Sequence, residues 1–350
     1  MDFGQTTGGP WAAPGVTVTD LAQVPGWFAR PPKTGKVPAV LLVHPSGAWD
    51  RRGTIPAEEA GTPDDVHLFD DLAAALLRAG VAVLGYDSRF VTARRADDWA
   101  PGQVTFPALV QDATAVLQYL REHPGVDSER ITLLGVSLGT QIAVGAAAQA
   151  GGPCRLILAA PGTIGLDQHL TWMLVGRRLE WLLAAGLVDR DATVDLRRIA
   201  DLAAERAGWW DEFTPADFTP PTGTDRIPYE QLAATLLHRH NEFVHQIYTT
   251  GDESAPAEYW RSRQAWPPMT QTLSTLRGRV WVHVGDEDWT TPPRQSRLLA
   301  HAAPEGLDVQ VTVHPDLGHL FSPRDPAGRL TYGPIHPTVL TALTQAALEK

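Results

Sequence analysis

The chain has 350 residues and a formal net charge of −11; 43% of its residues are hydrophobic and 20% are charged. This composition excludes a disordered chain, a collagen and a small disulfide scaffold, and the single cysteine, Cys154, excludes an intramolecular disulfide. An acidic protein repels phosphate backbones, so nucleic acid is a poor candidate partner. Residues 1–15 lack a basic start and an apolar run, and no apolar stretch could span a bilayer. We therefore expect neither signal peptide nor membrane contact, and a cytoplasmic location by default.

Short apolar runs alternate with longer amphipathic stretches along most of the chain. Residues 16–30 predict one or two leading antiparallel strands. The apolar runs predict buried strands at 38–44, 81–86, 130–135, 155–159, 279–284 and 308–313. The last run alternates more, which is typical of a strand near the sheet edge. Helical spacing predicts helices at 68–79, 106–122, 138–150, 294–303 and 337–348. This alternation predicts an α/β fold with a mostly parallel, doubly wound sheet.

One long stretch, residues 163–276, interrupts the alternation. It contains no clear strand pattern, and helical spacing of apolar residues covers 170–187, 194–207 and 229–248. We interpret it as a helical cap or lid, inserted before the penultimate core strand. The expected domains are an α/β core at 1–162 and 277–350 and a cap at 163–276.

The sequence Gly-Val-Ser-Leu-Gly at 135–139 matches the motif G-x-S-x-G. It directly follows an apolar strand and opens a helix, which is the setting of a sharp turn that exposes a nucleophilic serine. The helix N-terminus there favours negative charge on the serine oxygen. We therefore predict Ser137 as a nucleophile; the alternative is a glycine-rich turn with an idle serine.

With this motif, the chain resembles the serine hydrolases of the α/β-hydrolase superfamily, from about residue 16 to the C-terminus except in the cap. In that family the acid follows one late strand and the histidine follows the next. The segment 285–293 resembles the family's G-x-x-D-x-x-x-P pattern, which implies Asp288 as the acid. Asp286 and Asp167 are the alternatives.

A Gly-His pair follows the last predicted strand, as it does in this family, and implies His319 as the general base. We interpret His314 as a structural histidine at the strand end. A serine hydroxyl is a weak nucleophile that needs such a base, and an acid orients the imidazole and stabilises its charged form.

The sequence His-Pro-Ser-Gly at 44–47 resembles the family's H-G-x-G loop, especially the H-G-S-G-P-x-D-R form of some esterase- and peptidase-like members. The resemblance implies the backbone N–H groups of Ser46 and Leu138 as oxyanion-hole donors. Pro45 and Ala48 stand where the family has Gly and Pro, so the path of the loop is in question. The alternative is a plain strand-end turn.

Charged residues flank this loop. Asp50 and Arg51 are expected to pair and brace it. The sequence Tyr-Asp-Ser-Arg at 86–89 resembles the family's Y-D-x-R stretch, which we interpret as a structural ion pair that supports the same loop.

The predicted cap is rich in aromatic residues, and a lid typically supplies an apolar wall to the pocket. Trp209 and Trp210 are the predicted substrate-binding residues. Four arginines of this segment could bind a carboxylate, although a solvated position is the simpler interpretation for each: Arg177, Arg178, Arg261 and Arg263.

The combined prediction is a serine hydrolase that cleaves carboxylic esters of small to medium acyl or aryl groups through an acyl-enzyme. The alternatives are a peptidase, thioesterase or acyltransferase with the same three residues, or a non-catalytic ligand-binding protein of this fold. No cofactor or metal is implied. The expected partner is a small-molecule ester, and a homodimer is left open.

Overall fold

The computed structural model describes residues 17–20, 24–47, 49–60, 62–92, 102–205, 225–249, 255–323 and 332–349. Within them, eight strands form one sheet, and two short antiparallel pairs lie outside it. The strands are, in chain order, β1 (Thr17–Asp20), β2 (Gly26–Arg30), β3 (Val37–Val43), β4 (Thr54–Ile55), β5 (Val66–His67), β6 (Ala82–Tyr86), β7 (Val126–Val136), β8 (Cys154–Ala159), β9 (Thr193–Asp195), β10 (Arg226–Pro228), β11 (Gly278–Gly285) and β12 (Leu307–His314).

The main sheet has the strand order β1-β2-β6-β3-β7-β8-β11-β12. Six neighbouring strands of this sheet run parallel: β6, β3, β7, β8, β11 and β12. Strand β2 is antiparallel to both β1 and β6. The antiparallel leading strands and the edge position of β12 confirm two expectations from the sequence. The α/β fold with a mostly parallel sheet is also confirmed.

Helices cover both faces of this sheet. The described α-helices of the whole chain are α1 (Ala57–Ala60), α2 (Leu68–Arg78), α3 (Arg89–Thr92), α4 (Phe106–Glu122), α5 (Leu138–Ala150), α6 (Leu166–Thr171), α7 (Arg177–Ala184), α8 (Leu196–Glu205), α9 (Tyr229–Thr249), α10 (Ala255–Gln264), α11 (Met269–Leu273), α12 (Pro293–His301) and α13 (Pro337–Leu348). Strong end signals explain why some bounds could be predicted: α4 begins after Thr105, whose hydroxyl accepts from Ala108 N, and has a proline in its first turn.

The apolar run of β3 shows why the sheet is buried on both faces. Leu41 and Val43 pack with α4 and α5 on one side, whereas Val40 and Leu42 pack with α2 and α13 on the other. All four are fully buried. Because side chains alternate along a strand, a continuous apolar run is the pattern of a doubly covered strand.

Residues 163–276, here called the inserted segment, lie between β8 and β11 and include α6 to α11. The expectation that this stretch holds no strand was wrong: β9 and β10 pair antiparallel. Strands of three residues carry too little alternation to be recognised in a sequence. The predicted helix at 170–187 is divided into α6, a π-helical turn at Trp172–Gly176 and α7.

The inserted segment has a small hydrophobic cluster of its own, built from Val175, Trp181, Leu182, Leu187, Val194, Ile199, Ile227, Leu232 and Leu236. Its longest described helix, α9, has 21 residues, but no described helix has both the length and the apolarity to cross a bilayer.

Candidate active site

Ser137 occupies a sharp turn between β7 and α5. Its backbone has a positive φ of 52°, which side-chain-bearing residues rarely adopt. The flanking glycines are required by packing, because a Cβ at Gly135 would overlap the Gly139 carbonyl and one at Gly139 would overlap the carbonyls of Val43 and His44. The turn therefore presses α5 against the sheet and holds the serine at the carboxyl end of β7.

Three side chains form a continuous hydrogen-bonded chain in this part of the molecule. Ser137 Oγ lies 2.9 Å from His319 Nε2, and His319 Nδ1 lies 2.9 Å from Asp288 Oδ2. Because a carboxylate can only accept, His319 Nδ1 carries the proton and its Nε2 accepts the serine hydroxyl. The arrangement can move a proton from Ser137 to His319 beside a buried negative charge.

The loop after β11 holds Asp288 rigidly. Its Oδ1 accepts from the backbone N–H of Thr290 and Thr291, and its Oδ2 also accepts from the Thr291 hydroxyl. The residue is 2% exposed, so these bonds compensate a charge that water does not reach. Gly285 permits this loop, since a Cβ there would overlap the Leu317 carbonyl before His319.

The alternative acids lie elsewhere. Asp286 is exposed, although it is only two residues from Asp288. Asp167 is exposed as well, and its carboxylate accepts from Gln264 Nε2. Of the three candidates, Asp288 is the one brought against His319.

His314 lies at the end of β12, where the sequence placed a structural histidine. Its Nε2 is 3.1 Å from Nδ1 of His283, and the two rings stack with centroids 5.3 Å apart. Burial lowers the pKa of His283 to about 3 and, together with His336, also lowers the pKa of His314. The pair is therefore neutral and packs inside the core.

The loop after β3 carries Ser46 and is braced by charged groups. Asp87 accepts from the backbone N, Nε and Nη2 of Arg51, which agrees with the interpretation of residues 86–89 as an ion pair. The expected pair between Asp50 and Arg51 does not form. Asp50 instead accepts from the backbone N–H of Arg52 and Thr54 and from the Thr54 hydroxyl, because a short side chain at this position reaches its own turn more easily.

A cavity of about 260 Å³ opens above Ser137. Its described lining is Ser46, Ser137, Leu138, Gln141, Gly162, His169, Met173, Arg177, Arg263, Thr290, Thr291, His319 and Tyr332. Both predicted oxyanion-hole residues, Ser46 and Leu138, thus border the same space as the serine and the histidine. Trp209 and Trp210 lie outside the described residues.

The inserted segment supplies part of this lining and is anchored beside Asp288. Trp172 Nε1 donates to the carbonyl of Trp289, and Arg177 Nη1 lies 3.3 Å from the Thr290 hydroxyl. Among the described residues this wall is more polar than the expected aromatic one. No sequence motif pointed to His169 or Gln141, whereas Thr290 and Thr291 lie within three residues of the predicted acid.

Comparison with known proteins supports the fold. A family model described as an alpha/beta hydrolase fold matches residues 99–169, which include the Ser137 turn, and the sheet has the strand order and directions described above. The chain has the α/β-hydrolase fold. The H-G-S-G form of the loop at 44–47 is not part of this match.

Relatives in sequence match only parts of the chain. An uncharacterized protein of Mycobacterium tuberculosis is 30% identical over 167 residues, 47% of this chain and 51% of that protein. Esterase EstD of Thermotoga maritima is 32% identical over 128 residues, 36% of this chain and 27% of the esterase. The chain thus spans about half the length of the mycobacterial protein and 27% of the length of the esterase. Est1E from Butyrivibrio proteoclasticus, a solved structure, has 14% identity and a TM-score of 0.49, covering 95% of this chain and 96% of that one.

Proposed function

We propose that the protein is a serine hydrolase that cleaves carboxylic esters of small to medium acyl or aryl groups. The observation that carries this proposal is the hydrogen-bonded chain from Ser137 through His319 to Asp288, which borders an open cavity. The esterase named among the partial relatives supports the same class of reaction.

In the proposed first half-reaction, Ser137 Oγ attacks the ester carbonyl carbon while its proton passes to His319 Nε2. Asp288 keeps His319 in the required tautomer and stabilises the imidazolium that forms. The tetrahedral intermediate collapses when His319 returns the proton to the leaving alkoxide. The products are an alcohol and an acyl-enzyme on Ser137.

In the second half-reaction, water gives a proton to His319 and adds to the acyl carbonyl. Collapse releases the carboxylic acid and restores the Ser137 hydroxyl. The backbone N–H groups of Ser46 and Leu138 stabilise the negative oxygen of both intermediates. Pro45 has no N–H, but the donor is the following residue, so the proline is compatible with this role.

We assign a cap function to the inserted segment. Four of its residues border the cavity: His169, Met173, Arg177 and Arg263. Ser137, Asp288 and His319, in contrast, belong to the α/β core and not to the inserted segment. In this proposal the segment selects the substrate and the α/β core performs the reaction.

The direct test is turnover by the full chain of acyl esters of graded length, with thioesters and aminoacyl amides in parallel. Esters should be cleaved best, and Ser137→Ala should lower kcat/KM at least about 10⁴-fold. Ser274→Ala, which removes an exposed hydroxyl bonded to the Gln271 carbonyl, is the control and should retain the rate. A fluorophosphonate should label Ser137 and not the alanine variant.

Other outcomes would replace the proposal. Faster cleavage of thioesters or amides would make the protein a thioesterase or peptidase with the same residues. Acyl transfer to an added alcohol in preference to water would make it an acyltransferase. No labelling and no turnover of any substrate would point to a non-catalytic ligand-binding protein.

A further inference from the structure

The cavity above Ser137 carries positive charge in a protein whose formal net charge is −11. Two arginines from separate helices of the inserted segment, Arg177 on α7 and Arg263 on α10, line it. Among its described lining residues there is no aspartate or glutamate. A concave site with one sign of charge attracts ligands of the opposite sign.

Both guanidinium groups are held away from bulk water. Arg177 is 9% exposed, and its Nη1 lies 3.3 Å from the Thr290 hydroxyl, beside the loop that carries Asp288. Arg263 is half-buried, and its guanidinium lies 5.8 Å from the ring centre of Trp260. A partly desolvated guanidinium binds a carboxylate more strongly than an exposed one, and its planar fork matches the two oxygens.

The lowered pKa of His169 shows which groups lie around it in the cavity. Burial first, and then the electrostatic effects of Arg263, His319 and Arg177, lower its pKa to about 3, against the opposing effect of Asp288. Its neighbours therefore include both arginines and the histidine that contacts Ser137. A group bound by the arginines would lie within reach of the reacting serine, not in a separate site.

The four arginines that the sequence offered as carboxylate-binding candidates are thereby separated by position. Arg178 donates to the Leu174 carbonyl on its own helical segment and does not line the cavity, and Arg261 does not line it either. Of these four, Arg177 and Arg263 share the space with Ser137.

We propose that Arg177 and Arg263 bind a carboxylate carried by the substrate, so that the preferred esters are short and anionic, such as hemiesters of dicarboxylic acids. This inference rests on the proposed ester hydrolysis. The cavity of about 260 Å³ is smaller than the range of about 300–1,000 Å³ usual for drug-sized ligands, which favours a short chain between ester and carboxylate.

The test compares esters that differ only in charge. Monoethyl glutarate, with the carboxylate on the acyl side, is compared with its neutral carboxamide analogue. A second pair, 4-acetoxybutyrate and its carboxamide, places the charge on the alcohol side. In at least one pair, kcat/KM for the carboxylate should exceed that for the amide at least about tenfold, which is the usual strength of a charged hydrogen bond.

Variants identify the groups responsible. Arg263→Gln and Arg177→Gln should each lower the carboxylate-to-amide ratio about tenfold, mainly through KM, because the contact is made equally in the ground and transition states. Arg178→Gln is the matched control and should keep the ratio. If Arg177→Gln fails to fold, Arg177→Lys keeps the charge, loses the fork and should lower the ratio less.

Two results would overturn the inference. One is an equal or higher rate for both amides in the folded wild-type protein. The other is a carboxylate preference that survives both glutamine substitutions. In either case Ser137-dependent cleavage of neutral esters would leave the proposed function intact.

A failure of the proposed function would look different, because no ester of either charge would be cleaved. Binding of free glutarate to Ser137→Ala, measured by calorimetry, then decides the arginine site by itself. Binding that weakens about tenfold in Ser137→Ala/Arg263→Gln supports the site, and no binding overturns it.

Discussion

The α/β core and the inserted segment are built differently. Central strands such as β3 place fully buried side chains on both faces of the sheet, between layers of helices. The inserted segment instead packs a small cluster of its own between helices and the short β9–β10 pair. The three residues assigned to the reaction come from loops at strand ends of the core. The residues assigned to selectivity come from helices that are less constrained.

This difference between the core and the inserted segment indicates which region tolerates side-chain substitution without loss of the reaction. Loops at the carboxyl ends of parallel strands are positioned by the whole sheet, so Ser137, Asp288 and His319 keep their spacing. Helices that border a cavity from outside the sheet can vary their side chains at small cost. The predictions below test this division, from the largest expected effect to the smallest.

The core acid should matter most. Asp288→Asn keeps the shape of the side chain but disturbs the tautomer of His319, and we expect kcat to fall about 10⁴-fold. Asp286→Asn, at an exposed position two residues away, is the control and should lose less than about threefold. Ester kinetics with both purified variants measure this. A larger loss in Asp286→Asn would move the acid to that residue.

Buried neutral histidines should make the core sensitive to acid. Burial lowers the pKa of His44 to about 4 and that of His283 to about 3, whereas the unfolded chain binds these protons near pH 6.5. Their effect is absent at pH 7 and above. As pH falls below 6.5, each should reduce the free energy of unfolding by about 1.4 kcal/mol per pH unit, until its folded-state pKa is reached.

Urea unfolding at pH 7 and pH 5 measures this slope. His283→Gln should reduce the loss between the two pH values, because glutamine does not titrate. The exposed His301 on α12 provides the control, and His301→Gln should leave the slope unchanged. An unaltered slope in folded His283→Gln would show that the pKa of this histidine does not differ between the folded and the unfolded chain.

The brace beneath Ser46 should connect stability to activity. Asp87→Asn removes the charge from the three hydrogen bonds to Arg51, and we expect a loss of about 1–2 kcal/mol together with a lower kcat. Asp70→Asn is a matched control, since Asp70 pairs with Arg52 at similar burial. It should cost similar stability but less kcat. Equal kcat losses would mean that the Arg51 pair has no special effect on the loop.

The smallest effect should come from the wall of the inserted segment. Met173 lies in the π-helical turn and lines the cavity. Met173→Ala should shift the preference toward longer acyl chains, by about fourfold for each methylene that the enlarged space buries. Leu183→Ala, at an exposed position of α7, is the control. An unchanged chain-length profile would place the selective wall elsewhere in the segment.

Much of the fold could be predicted because its signals are local. The helices α4, α5 and α13 begin and end where the apolar spacing and the flanking Pro, Gly and Thr predict. The inserted segment was harder, because strands β9 and β10 are three residues long and the π-helical turn is a short irregularity within a longer helical stretch.

The candidate site divides in the same way. The Ser137 turn could be predicted from five consecutive residues, 135–139, because only glycine fits at positions 135 and 139. The expected pairing of Asp50 with Arg51 was wrong, because the actual partner, Asp87, is 36 residues away and meets Arg51 only through the packing of β3 beside β6.

By itself, the sequence determined the alternation of strand and helix and the sharp turn at Ser137, because each depends on neighbours a few residues away. The candidate residues Asp288 and His319 came from the resemblance of their loops to the α/β-hydrolase pattern. Only the tertiary structure decided that Asp288, rather than Asp286 or Asp167, contacts His319. It also decided that two of the four candidate arginines, Arg177 and Arg263, share a cavity with the serine. These contacts depend on which distant segments of the chain the fold brings together. The spacing of residues along the sequence does not specify the distance between such segments in space.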